Sequence, residues 1–545
     1  MRRVTQEPPL SSTPPVEAFT ADEVAALAPW FTNTDKHVIV LTGLPEVVKG
    51  ALFARYSRSA KSVRRLFLDE FADDLEPARG ASEVGAERAE QLYQRVFSEY
   101  GDDSVAQLGG AHAAIEQVSN LLTKQIEWGR LAAYLEQSTR YIPYDDKLGG
   151  RYRYHRDPDV LAGPHGGAYV ESMDAIFDAY SGAIPTVLDW VRATWPQDET
   201  TSDFVWKNAT KAKALDLLRG MLPAATTSNV GMFASGQSWE GLLLRLRASE
   251  LAEARMVADD LLVELRKVIP AFLTRVDRDE RGVAWSEYLA TTRSQTRALA
   301  DELLDGHKPD DAPLVELVDW SPRDPVEAEL ALVTAALYSA TDLPESQLAR
   351  AVAELSGDQR AAVVRAYVGE RSNRRHKPGR GFERLWYRFD VLGDYGGFRD
   401  LQRHRMLTIE WQDLTTDHGY ETPAELADAG VEGAWHTALE RSAVLHDRLR
   451  EDHPPQAQYA VCLAYRVRYV MQLNARAAMQ MLELRSTPQG HPQYRRVVQD
   501  MHTLIREHAG HGFVADALSF VDHGAAELER LESEKAAERR RAAGA

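Results

Sequence analysis

Apolar residues recur three and four positions apart along most of the chain, a spacing that predicts amphipathic helices. The clearest segments are "VAQLGGAHAAIEQVSNLLTKQIEWGRLA", "LAEARMVADDLLVELRKVI", "ELALVTAALYSATDL" and "QYRRVVQDMHTLIREHA". Two short runs rich in β-branched residues, "KHVIVLTG" and "RYVMQL", are candidates for strands. Many helices with few strands predict an α+β fold, helix-rich with small mixed or antiparallel sheets.

Composition along the chain predicts two bodies of similar size, joined by a linker and flanked by tails. The beginning is rich in Pro, Ser and Thr, which predicts a flexible tail over residues 1–35. A polar, proline-containing stretch predicts a linker at 305–325, between bodies at 36–304 and 326–525. The charged, alanine-rich residues 526–545 predict a C-terminal tail without a core face.

The two bodies repeat the same order of segments. In the first, "LRGMLPAATTSN" is followed by "SGQSWEGLLLRLRAS" and then by a long helix. In the second, "QYAVCLAYRVRYVMQ" is followed by "LNARAAMQMLELRST" and again by a long helix. This internal similarity predicts a tandem duplication of one fold.

Charge and cysteine usage exclude several classes of function. The 545 residues carry a formal net charge of -18, and an acidic chain is repelled by phosphate backbones, so we expect no nucleic-acid partner. The one cysteine, Cys462, excludes an intrachain disulfide, and its apolar surroundings "YAVCLAY" predict a buried core residue. We expect no metal site, because no carboxylate–histidine constellation accompanies His508 and His511.

We also expect no membrane segment. No apolar run approaches the ~20 residues of a membrane-spanning helix. The early arginines are not followed by the apolar segment of a signal peptide. Together these features predict a cytoplasmic protein.

Two stretches carry the candidate chemistry. The first, "RHRMLTIEWQ", places Arg403, His404 and Arg405 directly before an apolar run. The second, "QIEWGRLAAYLEQSTRY", contains Ser138 and Arg140. Together they resemble the signature of the flavin-dependent thymidylate synthases, which is R-H-R, seven residues, and a serine closely followed by arginine and tyrosine.

The signature is divided between the two bodies. The second body keeps R-H-R but has Asp413 and Thr415 where the family has its serine and arginine. The first body has Trp128 and Gly129 in place of the first two residues, and only Arg130 remains. Each body therefore lacks the half that the other has kept. The chain resembles a tandem-duplicated member of the family.

Further segments are similar to the family in the same order. Arg219 in "RGMLP" matches an arginine that precedes Leu-Pro, and "LNARAAMQMLELR" supplies Asn474, Arg476 and Arg485. The early G-H-x-S/T-V segment is visible as "GDDSV", with Asp102 in place of histidine. In the second body "RRHKPGRGFE" takes its place.

The resemblance implies a role for each matched residue. In the family, arginines and a serine hydroxyl hold the phosphate of deoxyuridylate (dUMP), and guanidinium groups match phosphate oxygens in pairs. The substrate-binding residues implied are Gln125, Arg130, Glu136, Gln137, Ser138, Arg140 and Arg219. The FAD-binding residues implied are His376, Glu383, Arg403, His404, Arg405, Asn474 and Arg476. Ser138 and Arg485 are the implied catalytic residues, with Arg485 reaching the uracil carbonyl.

The expected reaction is conversion of dUMP to dTMP. The resemblance implies that reduced FAD supplies a hydride, methylenetetrahydrofolate supplies the methyl group, and NADPH is the reductant. Single-domain members form homotetramers, so a fused pair predicts a homodimer. Because both copies depart from the signature, two alternatives stay open. One is a catalytically silent flavin- or nucleotide-binding module, and the other is a flavoenzyme acting on another pyrimidine nucleotide.

Simpler explanations of both stretches also stay open. Arg403 to Arg405 could be a solvated cluster of charges at the end of a helix. The segment "EQSTRY" could be an ordinary turn in which Ser138 caps a helix.

Overall fold

The computed structural model consists of two compact units. The residues described are 16–36, 38–56, 59, 61–72, 107–525, 528 and 530–542. The first unit is made of Met1–Ala114, Leu131–Leu135 and Gly231–Leu303, and the second of Ile115–Arg130, Glu136–Val230 and Leu304–Ala545. Within the described ranges, no helix is both long and apolar enough to cross a membrane.

This division follows contacts, whereas the predicted bodies follow sequence repetition. The second unit takes residues from both predicted bodies, because 136–230 and 304–545 belong to it together. The boundaries 36–304 and 326–525 therefore remain predictions about sequence repeats.

Helices are the main element of both units. In chain order they are α1 (Ala21–Leu27), α2 (Glu46–Tyr56), α3 (Val63–Glu70), α4 (Asn120–Ile126), α5 (Pro158–Ala162), α6 (Gly166–Thr194), α7 (Asp203–Leu218), α8 (Gly236–Arg247), α9 (Ala252–Arg266), α10 (Ala284–Leu303), α11 (Pro325–Tyr338), α12 (Glu345–Ala353), α13 (Gly357–Val368), α14 (Tyr395–Leu401), α15 (Glu425–Asp428), α16 (Glu432–Asp452), α17 (Pro454–Ala457), α18 (Ala475–Arg485), α19 (Pro492–Glu507), α20 (Gly512–Ala517) and α21 (Leu531–Ala542). A 3-10 turn at Arg380–Arg384 leads towards the site described below.

The strands form small sheets. They are β1 (Gly110–Ser119), β2 (Ala132–Glu136), β3 (Lys147–Leu148), β4 (Arg151–Tyr152), β5 (Thr227–Ser235), β6 (Val315–Ser321), β7 (Trp386–Asp394), β8 (Thr408–Trp411) and β9 (Arg466–Asn474). The sheet orders are β1-β5-β2, β3-β4 and β6-β7-β9-β8. Helices with small sheets, antiparallel at β3-β4 and throughout β6-β7-β9-β8, confirm the predicted helix-rich α+β fold.

Aromatic side chains pack the helices of the first unit. The ring of Phe67 on α3 meets Phe31 edge to face, with centroids 5.3 Å apart, and lies 6.2 Å from Trp30. On α8, Trp239 is fully buried and its indole N–H donates to the carbonyl of Ala111 at 3.2 Å. Aromatic pairs such as those of Phe67 contribute about 0.5–1.5 kcal/mol beyond the area they bury.

Alternating burial builds the four-stranded sheet of the second unit. Every second residue of β9 from Val467 to Leu473 is buried, so one face of the strand is turned to the core. The antiparallel register sets Met471 opposite Phe389 on β7. Both α14 and α18, which carry the chemistry described below, start directly from strands of this sheet.

Three of the predicted helices are confirmed. "LAEARMVADDLLVELRKVI" forms α9, "ELALVTAALYSATDL" contains most of α11, and "QYRRVVQDMHTLIREHA" forms most of α19. The strand predicted at "RYVMQL" is confirmed as part of β9. In each case the apolar period is long or regular enough to decide between helix and strand.

The helix predicted over residues 105–132 is mostly wrong. Residues 110–119 form β1, and among the described residues of this stretch the α-helix is limited to Asn120–Ile126. Alanine-rich spacing fits both elements, and pairing with a distant strand overrides local propensity. The strand predicted at "KHVIVLTG" is also wrong for its described residues, where Leu41 makes only an isolated bridge to Phe31.

The predicted tails and linker are more ordered than expected. Residues 1–15 and the segment "GDDSV" lie outside the described residues, but α1 begins at a capping box of Thr20 and Glu23 and buries Leu27. Residues 315–321 of the predicted linker form β6. In the C-terminal tail, Arg530 is buried and α21 packs against α7, so the prediction of a stretch without a buried face is wrong.

The prediction that Cys462 is a buried core residue is confirmed. The side chain has no solvent exposure, and its thiol donates to the carbonyl of Met221 at 3.0 Å. Burial raises the pKa of the thiol to about 12, so the thiolate is not formed near neutral pH.

Candidate functional site

Most of the sequence-predicted flavin residues line one cavity in the second unit, which we call the cationic cavity. Its volume is about 250 Å³, and its lining is Lys377, Glu383, Arg403, His404, Arg405, Met406, Leu407, Asn474, Arg476, Ala477 and Gln480. Six of the seven predicted residues are in this set. The seventh, His376, is outside it, and its ring bonds locally to Ser372 and Asn373.

The ends of two secondary-structure elements position the lining of the cationic cavity. Strand β9 ends at Asn474, whose side-chain oxygen accepts from the N–H of Ala477 at 2.8 Å and caps α18. In the first turn of α18, the Arg476 Nε donates to the carbonyl of Pro378 at 3.0 Å. The R-H-R residues lie in the turn that follows α14, before β8. They do not continue the helix.

The cationic cavity carries an excess of positive charge. Four of its lining residues are cations and one, Glu383, is a carboxylate. In the part of the chain that the structure describes, Lys377 and Arg405 have no ion-pair partner, and Arg476 has only a 3.7 Å contact with Glu383. This donor set fits an anionic ligand, and the diphosphate of a flavin dinucleotide is such a ligand.

Beside the cavity lies a buried set of charges that we call the Glu136 cluster (Lys124, Glu127, Glu136, Arg399 and Arg403). Glu136 Oε1 accepts from Arg399 at 2.9 Å, and its Oε2 accepts from Arg403 at 2.5 Å and Lys124 at 3.1 Å. Lys124 also donates to Glu127 at 2.5 Å. The side chains of Lys124, Glu127 and Glu136 are at most 1% exposed.

The three cations keep Glu136 ionised. Burial alone raises the pKa of this carboxyl, but Arg399, Lys124 and Arg403 outweigh burial and hold the pKa well below its usual range. Glu136 was predicted to bind substrate, and that role remains a prediction. In the structure, the carboxylate of Glu136 accepts a hydrogen bond from Arg403, which lines the cationic cavity.

Asp400 connects the two groups of predicted site residues. Its carboxylate lies 3.4 Å from Arg485, 3.7 Å from Arg403 and 3.7 Å from Arg219. Burial raises the pKa of Asp400, but these arginines and Arg140 hold it well below its usual range. One carboxylate among so many guanidinium groups leaves an excess of positive charge around it.

His404 is a neutral hydrogen-bond acceptor. The Nε of Arg485 donates to His404 Nε2 at 2.9 Å, so the proton of the imidazole is on Nδ1. Burial, followed by the charge of Arg485, lowers the pKa of His404 to about 3. The middle residue of R-H-R therefore orients Arg485 instead of adding a charge.

The serine–arginine group (Ser138, Arg140 and Arg219) lies on the other side of Asp400. The hydroxyl of Ser138 accepts from the Arg140 N–H at 3.3 Å, which folds the turn after β2. The guanidinium of Arg140 donates to both oxygens of Asp216 on α7, at 2.6 and 2.5 Å. Arg140 is therefore already paired with a carboxylate.

Arg219 is less well satisfied. It is buried, and its Nη2 has no hydrogen-bond partner among the residues that the structure describes. It borders a small cavity of about 30 Å³ together with Asp394, Glu421 and His491. Burial, opposed by Arg219, raises the pKa of Asp394 to about 6, while burial and the nearby arginines keep His491 neutral by lowering its pKa.

The remaining predicted substrate residues are more dispersed. Gln125 is half-buried on α4, and the N–H of Gln137 donates to the carbonyl of Asn229 at 2.9 Å. Arg130 is exposed and donates to the hydroxyl of Thr408 at 3.2 Å. These residues line neither of the two cavities.

Sequence reasoning identified the cations of the site and missed their counter-ions. Asp216 and Asp400 each precede a site arginine, Arg219 and Arg403, by three residues. For Asp400 this spacing matches a contact, at 3.7 Å from Arg403, whereas Asp216 pairs with the distant Arg140, which the spacing does not indicate. Lys377 was missed as well.

Comparison with known proteins shows the family to which the chain belongs. A model of the family described as "Thymidylate synthase complementing protein" matches residues 51–271 and 323–509. The two separate matches agree with the tandem duplication predicted from internal similarity. The cationic cavity lies within the second matched segment, and Ser138, Arg140 and Arg219 lie within the first.

Relatives match along almost the whole chain. A UPF0159 protein of Chlamydia pneumoniae is 36% identical over 526 residues, covering 95% of this chain and 98% of that protein. A UPF0159 protein of Chlamydia muridarum is 36% identical over 523 residues, with coverage of 95% and 98%. The UPF0159 protein Ta1429 of Thermoplasma acidophilum is 32% identical over 517 residues, with coverage of 89% and 97%.

Proposed function

Because the chain belongs to the thymidylate synthase complementing protein family, we propose that it is a flavin-dependent thymidylate synthase that converts dUMP to dTMP. Family membership confirms the resemblance carried by the divided signature. One observation carries the proposed activity. Asp400 contacts Arg219 of the serine–arginine group and Arg403 of the cationic cavity, so the two halves of the signature meet at one carboxylate.

In this proposal the cationic cavity binds FAD at its diphosphate. Lys377 and Arg405 form no ion pair within the described residues, and Arg403 is fixed in place by Glu136. When bound, reduced flavin supplies the hydride for the reaction. Unpaired cations in a partly enclosed cavity bind a diphosphate through charge-assisted hydrogen bonds, which are stronger than neutral ones.

The serine–arginine group binds the nucleotide. The free Nη2 of Arg219 and the hydroxyl of Ser138 are donors for the phosphate, and Arg485 is the donor for the uracil carbonyl. Arg485 is held from two sides, by the neutral His404 and by Asp400, so its guanidinium is oriented before the substrate arrives. Such preorganisation lowers the entropic cost of binding.

The size of the cationic cavity supports an assembly of two chains. Its volume of about 250 Å³ is below the ~300–1,000 Å³ of a typical small-molecule pocket, so it holds part of a dinucleotide. Met406 stands at its edge with 77% of its surface exposed. We propose that a second copy of the chain covers the remainder in a homodimer. Methylenetetrahydrofolate is the proposed methyl donor and NADPH the proposed reductant.

One observation favours the alternative of a binding module or a different nucleotide. Both oxygens of Asp216 accept from Arg140, so a phosphate competes with this carboxylate for the guanidinium. The alternative forecasts that the protein binds flavin or a nucleotide without forming dTMP.

Rescue of a thymidine-requiring host that lacks its own synthase tests the proposal. We expect growth without thymidine from the wild-type gene. Arg405→Ala should abolish rescue because it removes an unpaired cation from the cavity. Arg448→Ala is the matched control, because Arg448 is exposed on α16 and is not a lining residue. Failure of the wild-type gene, with soluble protein present, would contradict the proposed activity.

A further inference from the structure

The C-terminal segment places a charged residue, Arg530, beside the turn that contains Ser138 and Arg140. Helix α21 packs along α7, where the hydroxyl of Ser202 donates to Glu538 at 2.5 Å and Lys535 pairs with Asp198 at 3.2 Å. This anchoring places Arg530, directly before α21, next to the turn that holds Arg140. Arg530 lies beyond the two segments matched by the family model.

Arg530 is a buried cation. Its residue surface is 8% exposed, and its guanidinium stacks over the ring of Tyr141 at 4.1 Å. Within the described part of the chain, its Nε has no hydrogen-bond partner. Among the residues that the structure describes, no carboxylate forms an ion pair with it. A buried unpaired cation is costly unless an anion joins it.

The surroundings of Arg530 are themselves cationic. Burial, followed by the charge of Arg140 and opposed by Glu534, lowers the pKa of Arg530 to about 9. Arg530 stacks on Tyr141, the residue that follows Arg140, and a pair of neighbouring guanidinium groups favours an anion that both can bind. Asp216 satisfies Arg140 through Nε and Nη2 and leaves its Nη1 with a weak 3.4 Å contact to Tyr494.

We propose that Arg530 is a phosphate-binding residue of the substrate site, supplied by the C-terminal segment, which joins Arg140 around a phosphate monoester. This inference rests on the proposed function for the identity of the nucleotide, and on the buried, unpaired guanidinium for the anion. The C-terminal segment is then part of the substrate site instead of a solvated tail.

The test uses the full chain in four forms: wild type, Arg530→Gln, Arg530→Lys and Arg540→Gln. Arg540 is the matched control, since it is exposed near the end of the same helix. Calorimetric titration with dUMP and with deoxyuridine separates the phosphate from the rest of the ligand. Loss of one charge-assisted contact weakens binding by about 10- to 100-fold. We expect that loss for dUMP in Arg530→Gln, no change for deoxyuridine, and an intermediate effect in Arg530→Lys.

Melting of the ligand-free proteins distinguishes a binding role from a structural one. Removal of an unpaired buried charge should leave the melting temperature of Arg530→Gln equal to or above that of wild type. A clear fall in melting temperature, with unchanged affinity for dUMP, would mean that Arg530 only packs on Tyr141, and it would overturn the inference.

Melting in the presence of inorganic phosphate tests the role of Arg530 separately from the proposed function. If the wild type binds no nucleotide, the proposed function fails, and the phosphate-dependent rise in melting temperature decides about Arg530. A rise in wild type and Arg540→Gln that is lost in Arg530→Gln supports the anion site. An equal rise in all forms, or none in the wild type, overturns it.

Discussion

Replacing Glu136 by glutamine removes one charge from the centre of the Glu136 cluster and almost no volume. The wild-type cluster has three cations and two carboxylates, and the variant has three cations and one carboxylate. Every partner of Glu136 is within 3.1 Å. The glutamine amide keeps one acceptor oxygen but presents N–H donors to cations, so one of the three contacts becomes repulsive.

The magnitude follows from burial. A unit charge pair at about 4 Å interacts by roughly 4 kcal/mol at an effective dielectric constant near 20, and relief of the carboxylate's own desolvation offsets part of the loss. Breaking a buried ion pair by removing one partner costs about 3–5 kcal/mol in comparable cases. We expect Glu136→Gln to lower the free energy of unfolding by that amount, against a typical total of about 5–15 kcal/mol.

Denaturant unfolding at pH 7.5 measures this loss, with Glu410→Gln as the control because Glu410 is exposed on β8. The folded pKa of Glu136 lies below its unfolded value of about 4.5. Its contribution is therefore complete above pH 4.5 and is lost as the pH falls towards the folded pKa. The difference between variant and wild type should shrink in acid. A loss at pH 7.5 no larger than that of the control would refute the account of the cluster.

Three further predictions concern single residues. Arg219→Ala should weaken binding of dUMP by about 10- to 100-fold in calorimetry while flavin affinity stays unchanged; the reverse pattern would refute the assignment. Cys462→Ser should keep turnover, with at most roughly 1–3 kcal/mol of destabilisation from a buried hydroxyl, and complete loss in a folded protein would indicate thiol chemistry. Burial raises the pKa of Asp394 to about 6. Its favourable contribution to the free energy of unfolding is therefore present below about pH 3.8 and is lost as the pH rises through 6. Denaturant titrations between pH 4 and 7.5 should therefore show the unfolding free energy of Asp394→Asn rising relative to wild type by up to about 3 kcal/mol. A difference between the two proteins that stays constant with pH would contradict the raised pKa of Asp394.

The fold was predictable where the apolar spacing was long and regular and where no pairing with a distant strand overrode the local preference. Segments such as Ala252–Arg266 and Pro492–Glu507 have helical spacing over several turns, and they are helices. Residues 110–119 have spacing that fits either element. Their strand depends on pairing with β5, more than a hundred residues away, which a local pattern does not contain.

The site was predictable in its cations and not in its charge balance. The R-H-R and N-x-R segments predicted Arg403, Arg405 and Arg476, and these three residues line the cationic cavity. Asp400 and Asp216 were missed because a ligand-binding signature says nothing about the carboxylates with which its arginines pair. Arg530 was missed for a further reason, because a charged C-terminal stretch is usually solvated, whereas here Arg530 is buried against Tyr141.

Direct formation of dTMP is the most decisive measurement. The purified full chain is supplied with FAD, NADPH, methylenetetrahydrofolate and dUMP, and the products are identified by mass spectrometry, with Arg405→Ala in parallel. We predict that dTMP accumulates with the wild type and falls to background with the variant. Wild-type protein that binds both FAD and dUMP yet forms no dTMP would contradict the proposed activity and leave a binding module in its place.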